Sequence, residues 1–577
     1  MNPPISVARD HRQVQPPRLS GSQFTRSAAL ALAVVLSVLA DADPADAVRS
    51  VRLEFAGPAV PAVRNVAAVF ARHLADRCGA MVNTNGTAAL TIILATDRSL
   101  PPEAFEIADG QGRELRVVGA DARGVLYGIG KVLRDARYDR RGFTLGPWRG
   151  RSAPECPFRA LYAATHFMNF YEAAPSEEVR RYMEDLALWG VNTVIAHFPT
   201  WNFQGFDDPK ARLNLEHLKS LLQAARGLGL EVGLIQCPNQ GFASASSDLR
   251  AKPFPDPLGR RGSFGANCCP SNPAGQRYLV DLYAGLFAEF ADPGLDCLVL
   301  WPYDEGGCGC AECWPWGAKG FPTLARQIVS SGRAKFPALR TVLSTWVYDT
   351  PPAGEWEGLT ATLAEQPKWL DFLLADSHTD FPRYPLDHGV PGNLPLVNFP
   401  EISMWGRSPW GGYGANPMPS RIDRLWRQSE RKLAGGMPYS EGLYEDLNKA
   451  ICYQLYWRKD RSPESIVREY LAFEYSPDRV DDLWKVVRLL EETWLERGPK
   501  SSEAFRLVRD VEPSLTPQAR EGWRWRILSL RAQIDHELVQ RNGRLEGEVL
   551  KAAFGELTRL YHAENAHSMP VQPPRVP

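Results

Sequence analysis

The chain carries almost no net charge: 66 Lys and Arg against 67 Asp and Glu leave −1 at pH 7 over 577 residues. Such a balance lacks the basic footprint of a nucleic-acid-binding protein and the cationic face that adheres to anionic membranes. No run beyond residue 47 is apolar enough to span a bilayer. Metal-hydrolase signatures are missing too, with no His-x-His and no His-Glu-x-x-His. Glycines and hydroxyls around Lys131 do not make a P-loop, and Pro438-Tyr439-Ser440-Glu441-Gly442 lacks the first glycine of G-x-S-x-G. What remains is an ordinary globular composition, 44% hydrophobic and 23% charged. It has room for roughly two to four domains. No cofactor is expected, and recognition belongs in a pocket.

Residues 1–47 read as an export signal. Arg9, Arg12, Arg18 and Arg26 precede the apolar run Ala28 to Ala40, and Ala45-Asp46-Ala47 offers a small-x-small cleavage site. A retained N-terminal anchor is the alternative. The expected location is secreted or periplasmic, with no stable membrane span after cleavage. Among the ten cysteines, Cys268 and Cys269 are adjacent, and Cys308, Cys310 and Cys313 fall within six positions. Disulfides, a structural zinc and free thiols all remain open for them. Each reading pins the loop after Asp304-Glu305, and none makes the thiols catalytic.

Residues 48–150 pattern as a small α/β domain, with strands at Val51–Phe55 and Ala89–Ala95 and helices at Val63–Ala75 and Arg123–Leu133. From 151 to 460 short apolar runs alternate with amphipathic stretches, the signature of βα units. Strands are predicted at Arg159–His166, Thr193–Phe198, Glu231–Cys237, Leu295–Trp301, Thr341–Tyr348, Leu370–Asp376, Leu394–Phe399 and Gly436–Tyr439. Helices are predicted between them, the last spanning Arg421–Ala434. Eight such units make a (β/α)8 barrel. Residues 461–577 read as a helical region, able to brace the barrel or to dimerise, with a Pro-rich end.

In such a barrel chemistry gathers at the carboxyl ends of the strands. There the sequence places His166, His197, Trp201, Asn239, Trp346, Tyr348, Asp376, His378, Glu401, Trp405, Trp410, Tyr439 and Glu441 as substrate-binding residues, around the pair Asp304-Glu305. Carboxylates transfer protons and stabilise an oxocarbenium ion, and aromatic faces cover the C–H surfaces of a sugar ring. The cationic groups that a phosphate-handling barrel shows at its last two strands are absent. His166 and His197 each also have a purely structural reading, and Asp376 one as an orienting cap.

These motifs resemble a clan of glycoside hydrolases. Arg123-Gly124-Val125-Leu126-Tyr127-Gly128 is similar to the last helix of the N-terminal domain of family 20 hexosaminidases and family 67 α-glucuronidases. Asp304-Glu305 resembles the acid pair of family 20. Cys269-Pro270-Ser271-Asn272-Pro273 with Cys308-Gly309-Cys310-Ala311-Glu312-Cys313 resembles segments of family 163 endo-β-N-acetylglucosaminidases. The resemblance implies an oligosaccharide or glycoconjugate substrate and a retaining, substrate-assisted β-N-acetylhexosaminidase. Asp304 would then orient the acetamido group, and Glu305 would be acid and then base. The usual His-x-Gly-Gly lead-in is replaced by Trp301-Pro302-Tyr303, a departure from family 20. The family 67 resemblance implies inversion instead, with Glu305 as acid and Asp376 or Glu401 activating water. A carbohydrate-binding barrel without activity is the third expectation.

Overall fold

The computed structural model describes residues 47–166, 169–254, 266–304, 306–350, 352–364, 368–403, 412–430 and 432–564. Glu305, Trp405, Trp410, the Pro-rich end and all but Ala47 of the predicted export segment lie outside the described residues. Among those described, no helix is long and apolar enough to cross a membrane.

Residues 50–152 build a six-stranded sheet in the order Met81–Asn83, Ser50–Phe55, Leu90–Thr96, Glu114–Gly119, Phe105–Asp109, Gly150–Ser152. The first four run parallel, and the last two add antiparallel. Helix Ala122–Asp135 lies so close to this sheet that a Cβ on Gly128 would stand 2.6 Å from Val117 Cγ1. Its Arg-Gly-Val-Leu-Tyr-Gly start is therefore a packing device, with Asp121 capping the Gly124 N–H at 2.8 Å.

Eight parallel strands then close into a barrel: β1 (Phe158–Ala163), β2 (Thr193–His197), β3 (Glu231–Gln236), β4 (Cys297–Leu300), β5 (Arg340–Ser344), β6 (Phe372–Ser377), β7 (Leu396–Pro400) and β8 (Leu433–Gly436). Pairing of Gly435 with Phe158 and of Thr193 with Ala160 completes the ring. β8 is where the sequence misleads. The run expected to end a helix at Ala434 is instead the strand, and Tyr439–Ser440 forms a separate short strand that also pairs with β1. The reason is steric. A Cβ on Gly435 would sit 1.7 Å from the Phe158 carbonyl oxygen, and one on Gly436 2.1 Å from Asn398. Two glycines read as a loop signal in sequence, yet they allow the last strand to approach the first closely enough to close the barrel.

The amino-terminal end of the barrel is stapled by charge. Arg159 is fully buried; it donates to Glu103 at 2.5 Å and to the carbonyls of Gly190 and Cys156, each at 2.7 Å. Asn192 joins Glu103 to the Pro157 carbonyl, and Arg123 pairs with Glu103 at 2.9 Å. Burial alone would raise the Glu103 pKa, but the Arg159 and Arg123 charges hold it below the usual value.

Helices beyond residue 446 brace the barrel. Arg524 pairs with Asp185 at 3.0 Å and with Asp446 at 2.8 Å, tying helix Trp523–Gln540 to helices Ser176–Leu188 and Asp446–Trp457. The Tyr561 hydroxyl accepts the Leu443 N–H at 2.9 Å, fixing the loop after β8. One hydrophobic core runs through sheet, barrel and helices.

Candidate active site

Side chains from seven of the eight strands, or from the turns just after them, meet in ring contacts at the carboxyl mouth of the barrel. Ring contacts run from Trp201 to His197 (5.4 Å), His166 (4.9 Å) and Tyr162 (6.1 Å), then to Tyr439 (5.5 Å) and Phe399. Phe399 meets Trp301 at 4.8 Å and Trp346 at 5.7 Å, and Trp346 meets His378 edge-on at 5.1 Å. The fold therefore brings Trp201, His197, His166, Tyr439, Trp346 and His378 into one aromatic lining. Burial, then the nearby His197, holds His166 well below the usual imidazole pKa. His197 is oriented by the Ile235 carbonyl, 2.7 Å from its Nδ1. The indole N–H of Trp346 and the side-chain amide nitrogen of Gln236 are buried with no hydrogen-bond partner among the described residues. Unsatisfied buried donors are uncommon and mark places where a ligand or water belongs.

The acids sit against this lining. Asp376, at the end of β6, accepts the His378 N–H at 2.7 Å. Its carboxyl is hemmed in by protein, and its pKa is pushed up to about 7 by loss of solvent and then by the charges of Asp349, Asp304 and Glu401. No cation pairs with it among the described residues. Glu401 is buried; it accepts the Ser403 N–H at 2.5 Å and lies 3.7 Å from His378 Nε2. Glu441 accepts the Tyr439 hydroxyl at 2.9 Å, and its own N–H is held by Glu445 at 2.8 Å. Glu445 in turn pairs with buried Lys449 at 3.2 Å, which settles the turn after β8.

Asp304 follows β4 in the left-handed region, with φ of 66°. An aspartate tolerates this better than most residues, but the conformation has to be imposed by its surroundings. Trp316 donates its indole N–H to the Pro302 carbonyl at 2.6 Å, and the Asn239 amide grips the next turn. Val347, between Trp346 and Tyr348, is also left-handed at φ 60°. For a β-branched residue this is a strained geometry, located at the rim of the same mouth.

Two of the expected sugar contacts have their polar atoms engaged by backbone groups of other loops. Asn239 is wholly buried and donates to the carbonyls of Cys268 (3.1 Å) and Gly307 (2.9 Å), while its side-chain oxygen accepts the Gly307 N–H (3.0 Å). It clamps the β3 and β4 loops together and has little left to offer a ligand. Tyr348 donates to the Gly317 carbonyl at 2.8 Å and packs on Trp356, beneath the mouth. Arg421, not singled out from sequence, donates to the carbonyls of Glu401 (2.7 Å) and His378, and burial lowers its pKa to about 10. Ser403 was missed as well: its hydroxyl bridges the Tyr439 carbonyl (3.0 Å) and the Glu441 N–H (3.2 Å). Arg421 lies on a helix, away from any strand end, whereas Ser403 follows β7 directly between Glu401 and Trp405 and was passed over for its small neutral side chain.

Among the described residues no cysteine is joined in a disulfide, and the Sγ atoms of Cys269, Cys308, Cys310 and Cys313 lie within 4.8 Å of one another. A shared hydrogen bond lowers the pKa of Cys308 and raises that of Cys313.

No family model and no curated protein matches the sequence. Solved structures do match, and they are glycoside hydrolases. One is a family GH115 4-O-methyl-α-glucuronidase with specificity for decorated arabinogalactans, at TM-score 0.61 and 14% identity over 92% of this chain and 81% of that one. A family 89 enzyme from Clostridium perfringens, in complex with its substrate GlcNAc-α-1,4-galactose, gives 0.60 and 10% over 87% and 64%. A GH138 enzyme targeting pectin rhamnogalacturonan II gives 0.54 and 11% over 90% and 74%. At these identities the likeness establishes the fold alone, a (β/α)8 barrel preceded by an α/β sheet.

Proposed function

We propose that the protein hydrolyses glycosidic bonds at the carboxyl mouth of its barrel, with Asp304 and Glu305 acting on a 2-acetamido sugar. The observation that carries this reading is the Asp376 carboxyl, raised to about 7 among Asp349, Asp304 and Glu401 against an aromatic wall. An acid poised near neutrality beside indole faces suits proton transfer to and from a sugar. In the acetamido reaction Asp304 polarises the amide and Glu305 protonates the leaving oxygen, then activates water. The anomeric configuration is retained. The family 89 neighbour's substrate contains the same acetamido unit.

A second reading has its own support. A carboxyl near 7 opposite an acid on β4 is also what an inverting enzyme needs, and there Asp376 would activate water. The GH115 neighbour is a 4-O-methyl-α-glucuronidase. Against a uronic substrate stands the chemistry of the mouth, where Arg421 is turned onto backbone carbonyls.

An aryl 2-acetamido-β-glycoside and an aryl glucuronide, followed by proton NMR of the first-formed anomer, separate the readings. Release of the β-anomer from the acetamido substrate is expected. Turnover of the glucuronide alone, with inversion, overturns the first reading. Tight sugar binding by wild type without turnover of any glycoside overturns both.

A further inference from the structure

We propose that Cys269, Cys308, Cys310 and Cys313 bind one zinc ion as a tetrathiolate site that locks the Asp304 loop to the β3 loop. The four Sγ atoms all fall within 4.8 Å of one another, and Cys269 and Cys310 stand 3.7 Å apart. Zinc held tetrahedrally by thiolates at about 2.3 Å separates its sulfurs by about 3.8 Å, so one ion matches this spacing. An iron–sulfur cluster would hold its thiolates further apart around its own core of metal and sulfide. The structure also decides between the adjacent cysteines: Cys268 points away and meets the Ala266 carbonyl at 3.6 Å, leaving Cys269 as the ligand.

The surroundings are those of a closed structural site. Cys269, Cys308 and Cys313 are buried, with Cys310 half-buried. Ser271 Oγ lies 3.0 Å from Cys269 Sγ and 3.2 Å from Cys310 Sγ, placed to donate to thiolates and spread their charge. Backbone bonds from Cys313 and Trp314 to the Cys310 carbonyl, at 3.1 and 2.9 Å, fold the Cys-x-x-Cys segment into a turn that presents two sulfurs together. Cys269 comes from the chain between β3 and helix Pro273–Glu289, and the other three from the chain after β4. The metal and the Asn239 amide thus join the same two segments, the amide at Gly307 and the metal just after it. Four side chains that are separate in the unfolded chain would gain both a metal and a cross-link on folding. The consequence for Asp304 rests on the hydrolase reading above, but the metal site does not.

Full-length protein purified without chelator, and reduced only mildly, is analysed for metals and for disulfides by intact mass. One zinc per chain is expected, together with loss of zinc in Cys310→Ser and in Cys313→Ser. Exchange with Co(II) should give thiolate-to-cobalt charge transfer and the intense visible bands of a tetrahedral site. Hydrogen exchange on wild type after chelation should accelerate at amides 306–313 and leave the 50–119 sheet unchanged. A chain that neither contains zinc nor takes up Zn(II) or Co(II) when fully reduced overturns the proposal, as does native protein with these four cysteines in two disulfides. Since the readouts are metal, mass and exchange, failure of the glycosidase reading would leave them unaffected.

Discussion

The two ends of the barrel hold their acids in opposite ways. At the amino end Glu103 meets Arg159, Arg123 and Asn192, and its charge is held. At the carboxyl end Asp376 meets Asp349, Asp304 and Glu401, and its charge is resisted. Burial acts on both. What differs is the sign of the neighbours, and that difference separates an acid that holds the fold from one available to move a proton. The same division covers other residues: Arg531 with Asp535 and Lys449 with Glu445 are charge-compensated braces.

The largest effect should come from the chemistry itself. Glu305→Gln is expected to lower kcat on an aryl glycoside by about 10²–10⁴-fold while sugar affinity persists, measured by steady-state kinetics and calorimetry. Unchanged kcat would move the proton donor elsewhere, Asp376 first. Asp376→Asn sharpens the contrast between the ends because it should lose activity and gain stability. Ionising a carboxyl raised from 3.8 to about 7 costs at most about 4 kcal/mol. That stability is intact below about pH 4, declines as the unfolded chain's carboxyl ionises, and is fully lost above about pH 7. The variant should therefore be more stable than wild type at pH 8 and match it near pH 4 in denaturant titrations.

Glu103→Gln should do the reverse. It leaves Arg159 buried with its charge unanswered and should cost about 3 kcal/mol at pH 7, with turnover per folded molecule unchanged. Because the Glu103 pKa is depressed, its contribution is present above the usual carboxylate range and fades as pH falls. The wild-type advantage should shrink in acid. The smallest effect is expected at Trp346→Phe, which removes a donor with no partner among the described residues and keeps the ring: under about 1 kcal/mol in stability, but a raised KM.

Much of this was legible in the sequence because parallel strands are short apolar runs at fixed rhythm. Seven of the predicted strands overlap β1–β7 within a few residues, and strand ends pointed to His166, His197, Asp376, Glu401 and Tyr439. β8 was not legible, since Gly435 and Gly436 are chosen by contact with Phe158 and Asn398, partners remote in sequence. Polarity alone made Asn239 and Tyr348 look like ligand contacts, yet backbone carbonyls from other loops claim their polar atoms. Arg421 was hidden because it acts from a helix on backbone carbonyls, and Ser403 because the partners of its hydroxyl, at Tyr439 and Glu441, are remote in sequence.

The most direct measurement is the ionisation of Asp376, read as the infrared carboxyl band lost in wild type minus Asp376→Asn across pH 4 to 9. A protonated carboxyl that persists at pH 6 and disappears near 7 is predicted. A group already ionised at pH 5 would contradict the account, because the mouth would then hold its acids as the amino end does.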